Sequence, residues 1–127
     1  MYDDEICKIF NIIIEKLELA ITSIETKTGE IEKELNNWNV EITVEELKKN
    51  LPEVLKKIKK WYNQYKNTGN ILEISLKEYD WVSKEISYML GECALIDDLY
   101  MEVIDYNIGN IGAIMCGEIK KGGKTNE

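Results

Sequence analysis

An all-α helical bundle is the fold class this sequence predicts, and two observations predict it. Apolar residues recur at alternating steps of three and four along two stretches: Ile6, Phe10, Ile13, Leu17, Ala20, Ile24 and Ile31, and again Tyr79, Val82, Ile86, Met89, Cys93, Ile96, Tyr100 and Val103. That period lines one side of an α-helix and defines a heptad seam of the coiled-coil kind. Three helix-start signatures of the form Ser/Thr/Asn-x-x-Glu stand between the stretches: Thr43 with Glu46, Asn50 with Glu53 and Ser75 with Glu78. At 127 residues the chain is long enough to bury one core without disulfides or a structural metal.

The first long helix is expected over residues 3–35. Ile9, Ile14 and Ile21 widen its apolar side, so it should pack against more than one neighbour. Lys27 interrupts the seam, and Thr26, Thr28 and Gly29 mark an end or bend there. Residues 36–43 (NNWNVEIT) read as a connector or one short strand. Thr43 then caps a short helical turn over 44–49, with Ile42 and Leu47 as its hydrophobic staple, and the chain resets at Asn50 into a shorter basic helix over 51–66. Pro52 falls in that helix's first turn, where its missing amide costs little, and Asn67, Thr68, Gly69 and Asn70 end it. Val40–Val44 and Ile71–Ile74 flank it and are placed to form a minor two-stranded element. Ser75 caps the second long helix, expected over 76–106, with Glu78 returning its carboxylate and Ile74 and Tyr79 as the staple pair. Gly91 would permit a close helix crossing, and Asn107 with Gly109 would stop the helix. Ile108, Ile111 and Ile114 through Cys116 should dock on the bundle. The predicted organisation is one helical domain over 1–116 and a disordered polar tail over 117–127. Apolar faces this wide on three helices predict a homo-oligomer, in the first instance a homodimer joined through the long helices.

The chain has 24 Asp plus Glu against 16 basic residues, all of them Lys, with neither Arg nor His. Histidine-dependent triads, His-ligated metal sites and imidazole bases are therefore excluded, as are bidentate arginine grips on phosphate. A net charge of −8 opposes binding of the whole protein to nucleic acid or an anionic membrane and suits a basic partner. Cys7, Cys93 and Cys116 are odd in number and lack C-x-x-C spacing, which reads as reduced thiols in a cytoplasmic protein. The acidic Asp3, Asp4 and Glu5 do not resemble a secretory leader. No cofactor is implied, and no catalytic residues are assigned. Glu15-x-x-Glu18 and Glu102-x-x-Asp105 have the spacing of a magnesium-binding carboxylate set but no supporting pattern.

Two constellations remain. Residues 44–67 hold seven Lys and three Glu between two acidic segments. Here Lys56, Lys59, Lys60, Trp61 and Tyr65 could hold a nucleotide, ammonium groups on phosphate and rings stacked on the base; the plainer reading makes the rings core and the Lys heads solvated. On the second long helix, Glu78, Glu85 and Glu92 repeat every seven residues and Asp97, Asp98, Glu102 and Asp105 extend the charge, forming an acidic stripe. Such a stripe can imitate nucleic-acid phosphates and occupy the basic groove of a nuclease; the plainer reading is flank pairing with Lys on a neighbouring helix. The leading expectation is thus a non-enzymatic inhibitor from a phage or mobile element that blocks a host defence nuclease or nucleic-acid-binding effector in the host cytoplasm. The alternatives are a nucleotide-sequestering protein, a toxin-neutralising immunity protein and an assembly component of a particle.

Overall fold

The computed structural model describes residues 4–126. It contains helices α1 (Asp4–Thr26), α2 (Thr28–Asn37), α3 (Val44–Thr68), α4 (Leu76–Cys93) and α5 (Met101–Lys120), with single 3-10 turns at Ile71–Glu73 and Asp97–Leu99. No sheet forms among the described residues. Side-chain pairs fix the helix directions. Asn11 donates to the Tyr62 hydroxyl while Glu18, a turn or two later, pairs with Lys59 at 3.4 Å, so α1 and α3 run antiparallel. Glu78 meets Lys60 and Glu85 meets Asn50, which sets α4 antiparallel to α3. Tyr79 donates to the Ile108 carbonyl and Ser87 to Asp105, which does the same for α4 and α5. Lys27 reaches Asp98 near the start of α5, while Ile6 and Ile114 line one cleft at the other end. The four helices α1, α3, α4 and α5 therefore form an up-and-down bundle, and α2 covers the end where α1 stops and α3 begins.

The core is continuous through all four helices. Phe10, Ile13, Leu17, Leu47, Leu51, Ile58, Trp61, Ile86 and Met89 are all without exposed surface. At Lys27 the backbone leaves helical geometry (φ −123°, ψ 31°). The hydroxyls of Thr26 and Thr28 donate back to the carbonyls of Thr22 and Ile24, a pattern that bends helices. The break keeps Lys27 out of the seam and lets Ile31 and Leu35 on α2 turn back onto the core.

Several expectations are corrected. The helix expected to reset at Asn50 is one helix of 25 residues running straight through Pro52. Val44, Leu47, Leu51, Val54, Ile58, Trp61 and Tyr65 are all buried along one side of it. Burying each large side chain contributes about 1.5–3 kcal/mol, which together outweighs the roughly 3 kcal/mol cost of an interior proline; Pro52 itself is exposed. Val40–Val44 and Ile71–Ile74 do not pair, because a helix of this length, roughly 37 Å, puts them at opposite ends of the bundle.

The helix expected over 76–106 is two. α4 ends at Cys93, the chain turns through Asp97–Leu99, and Tyr100 takes a left-handed conformation (φ 52°) from which α5 starts. The seam was an overlap of two: Val82, Ile86, Met89, Cys93 and Ile96 are buried, but Val103 and Tyr106 are 39% and 70% exposed. A second set, Met101, Ile104, Ile108, Ile111 and Met115, is buried instead. Asn107 and Gly109 thus lie inside α5, and α5 supplies the fourth side that closes the bundle. Part of the apolar width that predicted a second chain is covered by α5, while Ile12, Leu19, Val103 and Tyr106 stay exposed. Residues 117–120 form the last turn of α5, and Asn126 bonds to Leu72, Glu73 and Leu76; Glu127 lies outside the described residues.

The close crossing is at Gly112 and not at Gly91. A Cβ on Gly112 would sit 2.8 Å from Cζ of Tyr79, whose hydroxyl is held by Ile108 at 2.8 Å, whereas one on Gly91 or Gly109 would meet nothing within 4 Å. Gly109→Ala is therefore expected to raise stability by about 0.5–1 kcal/mol and Gly112→Ala to lower it by about 1–3 kcal/mol. Urea denaturation of the two variants checks this, and equal effects would remove the crossing from the account.

Candidate functional site

The acidic residues singled out by spacing divide into two groups once α4 and α5 are separate helices. Glu78 and Glu85 face α3. The Glu78 carboxylate accepts from Lys60 at 3.0 Å and from the Trp61 indole at 3.3 Å. Burial alone would raise its pKa, but the hydrogen bonds from Lys60 and Trp61 and the charges of Lys60 and Lys57 outweigh burial and hold it below the ordinary value. Its expected return to the Ser75 amide is replaced by these partners, while Ser75 still caps α4 by accepting from the Glu78 amide. Asn50, expected as a helix cap, instead donates to Glu85 at 3.4 Å. Asp105 accepts from Ser87 across α4 and α5. Glu78, Glu85 and Asp105 thus join helices to one another.

The second group gathers at the end of the bundle where α4 turns into α5. Two clefts flank that turn and share Ala94 and Ile96. One, of about 160 Å³, is lined also by Asp97, Tyr100, Met101, Glu102 and Val103; the other, of about 210 Å³, by Trp38, Val40, Gly91, Glu92 and Leu95. Asp98 pairs with Lys27 at 3.1 Å, and both side chains are well exposed. Among the described residues, Glu92, Asp97 and Glu102 form no ion pair. Tyr88 stands one turn before Gly91 on α4. Desolvation, then the charges of Glu46, Glu92 and Glu41, push its hydroxyl above the ordinary pKa. Sequence spacing found Glu92, Asp97, Asp98 and Glu102 but missed Glu41, Glu46 and Trp38, because α2 and the start of α3 reach this end only through the fold.

The basic helix behaves differently from a nucleotide site. Trp61 and Tyr65 are 0% and 2% exposed, packed against Tyr79 and Phe10 respectively, so neither ring face is open to a base. Lys59 is paired with Glu18 and Lys60 with Glu78, while Lys57 and Lys66 lie over the rings of Trp81 and Tyr62. Lys56 is exposed. The aromatic residues that suggested stacking are the core of α3, and Lys57, Lys59 and Lys60 tie α3 to α4 and α1. The carboxylate pairs on α1 and α5 also diverge: Glu18 turns toward α3 and Asp105 toward α4.

Cys7 and Cys93 are buried and Cys116 is exposed, and none is disulfide-bonded among the described residues. Burial, followed by the charge of Glu92, pushes the Cys93 thiol up to about 12, so it stays a protonated core side chain. No described helix is long and apolar enough to cross a membrane. The chain matches none of the family models, curated proteins or solved structures with which it was compared.

Proposed function

We propose that this protein is a non-enzymatic binding protein that engages a basic protein partner through the acidic end of its bundle. The observation that carries the reading is that Glu92, Asp97 and Glu102 line the two clefts flanking the α4–α5 turn, with Asp98 in the same turn. Carboxylates without lysine partners keep their charge available to a partner, and a chain of net charge −8 steers a basic surface toward them. The groove of a nuclease or other nucleic-acid-binding effector has that chemistry, and blocking it is the proposed activity. A phage or mobile-element inhibitor and an immunity protein for a basic toxin use the same surface. The nucleotide reading receives no support from the buried Trp61 and Tyr65.

The test is retention of partners from a lysate of the cell that carries the gene, with wild-type bait and an E92Q/D97N/E102Q triple variant, followed by a nucleic-acid binding assay on the retained protein. The expected result is a basic protein whose nucleic-acid binding is competed by the wild type and at least about tenfold less by the variant, from three exposed pairs at roughly 0.5 kcal/mol each. Equal retention and competition by both baits, insensitive to salt, would remove the acidic end as the site.

A further inference from the structure

The same end of the bundle carries its most exposed apolar group around a cleft. Trp38 and Leu95 are 57% and 67% exposed and line the 210 Å³ cleft together with Val40, Gly91, Ala94 and Ile96. Isolated exposed apolar residues are ordinary, but a tryptophan and a leucine this exposed lining one hollow are not.

Trp38 is also held in place. It ends α2 in a Schellman arrangement: Asn39 is left-handed (φ 54°), its amide bonds to the Asn36 carbonyl at 3.2 Å, and the Val40 amide to the Leu35 carbonyl at 3.4 Å. Leu35 and Val40 line one shared pocket beneath, the apolar contact that accompanies this motif. The Trp38 backbone is therefore set by four residues around it and not by a frayed loop. A Cβ on Gly91 would meet open space, and that space is the cleft. No lysine lines the cleft, while Glu92 lines it directly and the charges of Glu46 and Glu41 act on Tyr88, one turn before Gly91. An aromatic and aliphatic hollow with a carboxylate rim is complementary to one chemistry: a lysine- or arginine-rich amphipathic segment, its apolar side chain in the hollow and its cations on the rim.

We propose that the Trp38–Leu95 cleft is the anchor site for an apolar side chain of a basic amphipathic segment of the partner protein. This rests on the acidic-end reading above and adds an apolar specificity that charge alone does not give. Interfaces draw most of their affinity from a few desolvated aromatic or aliphatic contacts, while rim charges mainly set the rate of encounter.

Three labelled twelve-residue peptides test it by fluorescence anisotropy with the full-length protein: a Lys/Ala helix bearing three leucines on one face, the same composition with the leucines spread around the helix, and dodecalysine. The one-faced peptide is expected to bind at least about tenfold tighter than the other two, about 1.4 kcal/mol. The W38A/L95A variant, and independently Gly91→Met, which fills the hollow, should erase that preference while leaving dodecalysine binding unchanged. Thermal melts verify that each variant is folded. Equal affinity for all three peptides would overturn the anchor site and leave the acidic-end reading standing. Failure of every peptide to bind, at low salt, would overturn both. A concentration-dependent dimer in sedimentation that W38A/L95A abolishes would assign the cleft to a second copy of the chain and overturn the proposal.

Discussion

Replacing Trp61 by Ala is expected to lower the unfolding free energy by about 3–5 kcal/mol, as for other large buried aromatic residues. The ring has no exposed surface, stands 6.0 Å from the Tyr79 ring and donates its indole N–H to Glu78. Truncation removes the apolar area, opens a cavity in a bundle whose four helices all contribute to the same core, and strips Glu78 of one donor. Lys60→Ala, on the same helix, removes an ion pair whose lysine is 54% exposed and should cost less than about 1 kcal/mol. Urea denaturation of the two variants gives both numbers. A Trp61→Ala loss no larger than that of Lys60→Ala would mean that the ring is not core, and the nucleotide-stacking reading would regain its ground.

The second large effect is at Glu78 and is pH-dependent. Glu78→Ala leaves the Trp61 indole without its acceptor and frees Lys60, and should cost about 1.5–3 kcal/mol at neutral pH, the range for hydrogen bonds to charged groups. Because the folded carboxyl lies below its ordinary value of 4.5, the unfolded chain takes up the proton first as pH falls. The stabilisation is therefore complete above the unfolded value and is lost as pH drops through the folded one. Wild type and Glu78→Gln should accordingly converge in stability as the pH falls through and below 4.5. Parallel stability curves for wild type and Glu78→Gln over that range would show that the charge contributes nothing to the fold. The result also separates roles within the acidic set, since a residue that holds α4 to α3 is poorly placed to meet a partner.

Much of the fold was legible. The buried positions of α1 from Phe10 to Ile24, the Thr43 and Ser75 caps and the Gly69 stop all correspond to the structure, because each depends on residues within one or two turns. The errors have a common cause. A run of three-and-four steps states that a side of a helix is apolar, but not that one helix carries all of it. Between Cys93 and Val103 two sets of apolar residues abut in nearly the same register, and only burial separates them. A straight helix over 76–120 would extend for roughly 67 Å and leave one of the two sets facing water. Reversal at Tyr100 buries both, and that gain outweighs the 1–2 kcal/mol typical of a left-handed non-glycine residue. At Pro52 the error ran the other way: a local helix-start signature at Asn50 was overridden by seven buried positions that only an uninterrupted helix keeps on one side.

The candidate surface was legible in its residue types and not in its shape. Composition alone determined that the sequence offers no histidine or arginine chemistry and that its charge is −8. Those properties are sums over the chain and need no fold. Tertiary structure decided where each charge is used. It spent Glu78, Lys59 and Lys60 on joining helices, buried Trp61 and Tyr65, and left Glu92, Asp97 and Glu102 without ion pairs at the end where Trp38 and Leu95 face one cleft. Trp38 and Leu95 are 57 positions apart in the chain, and nothing in their local sequence relates them. They meet because α3 and α4 run antiparallel, which returns the end of α4 to the level where α2 hands over to α3.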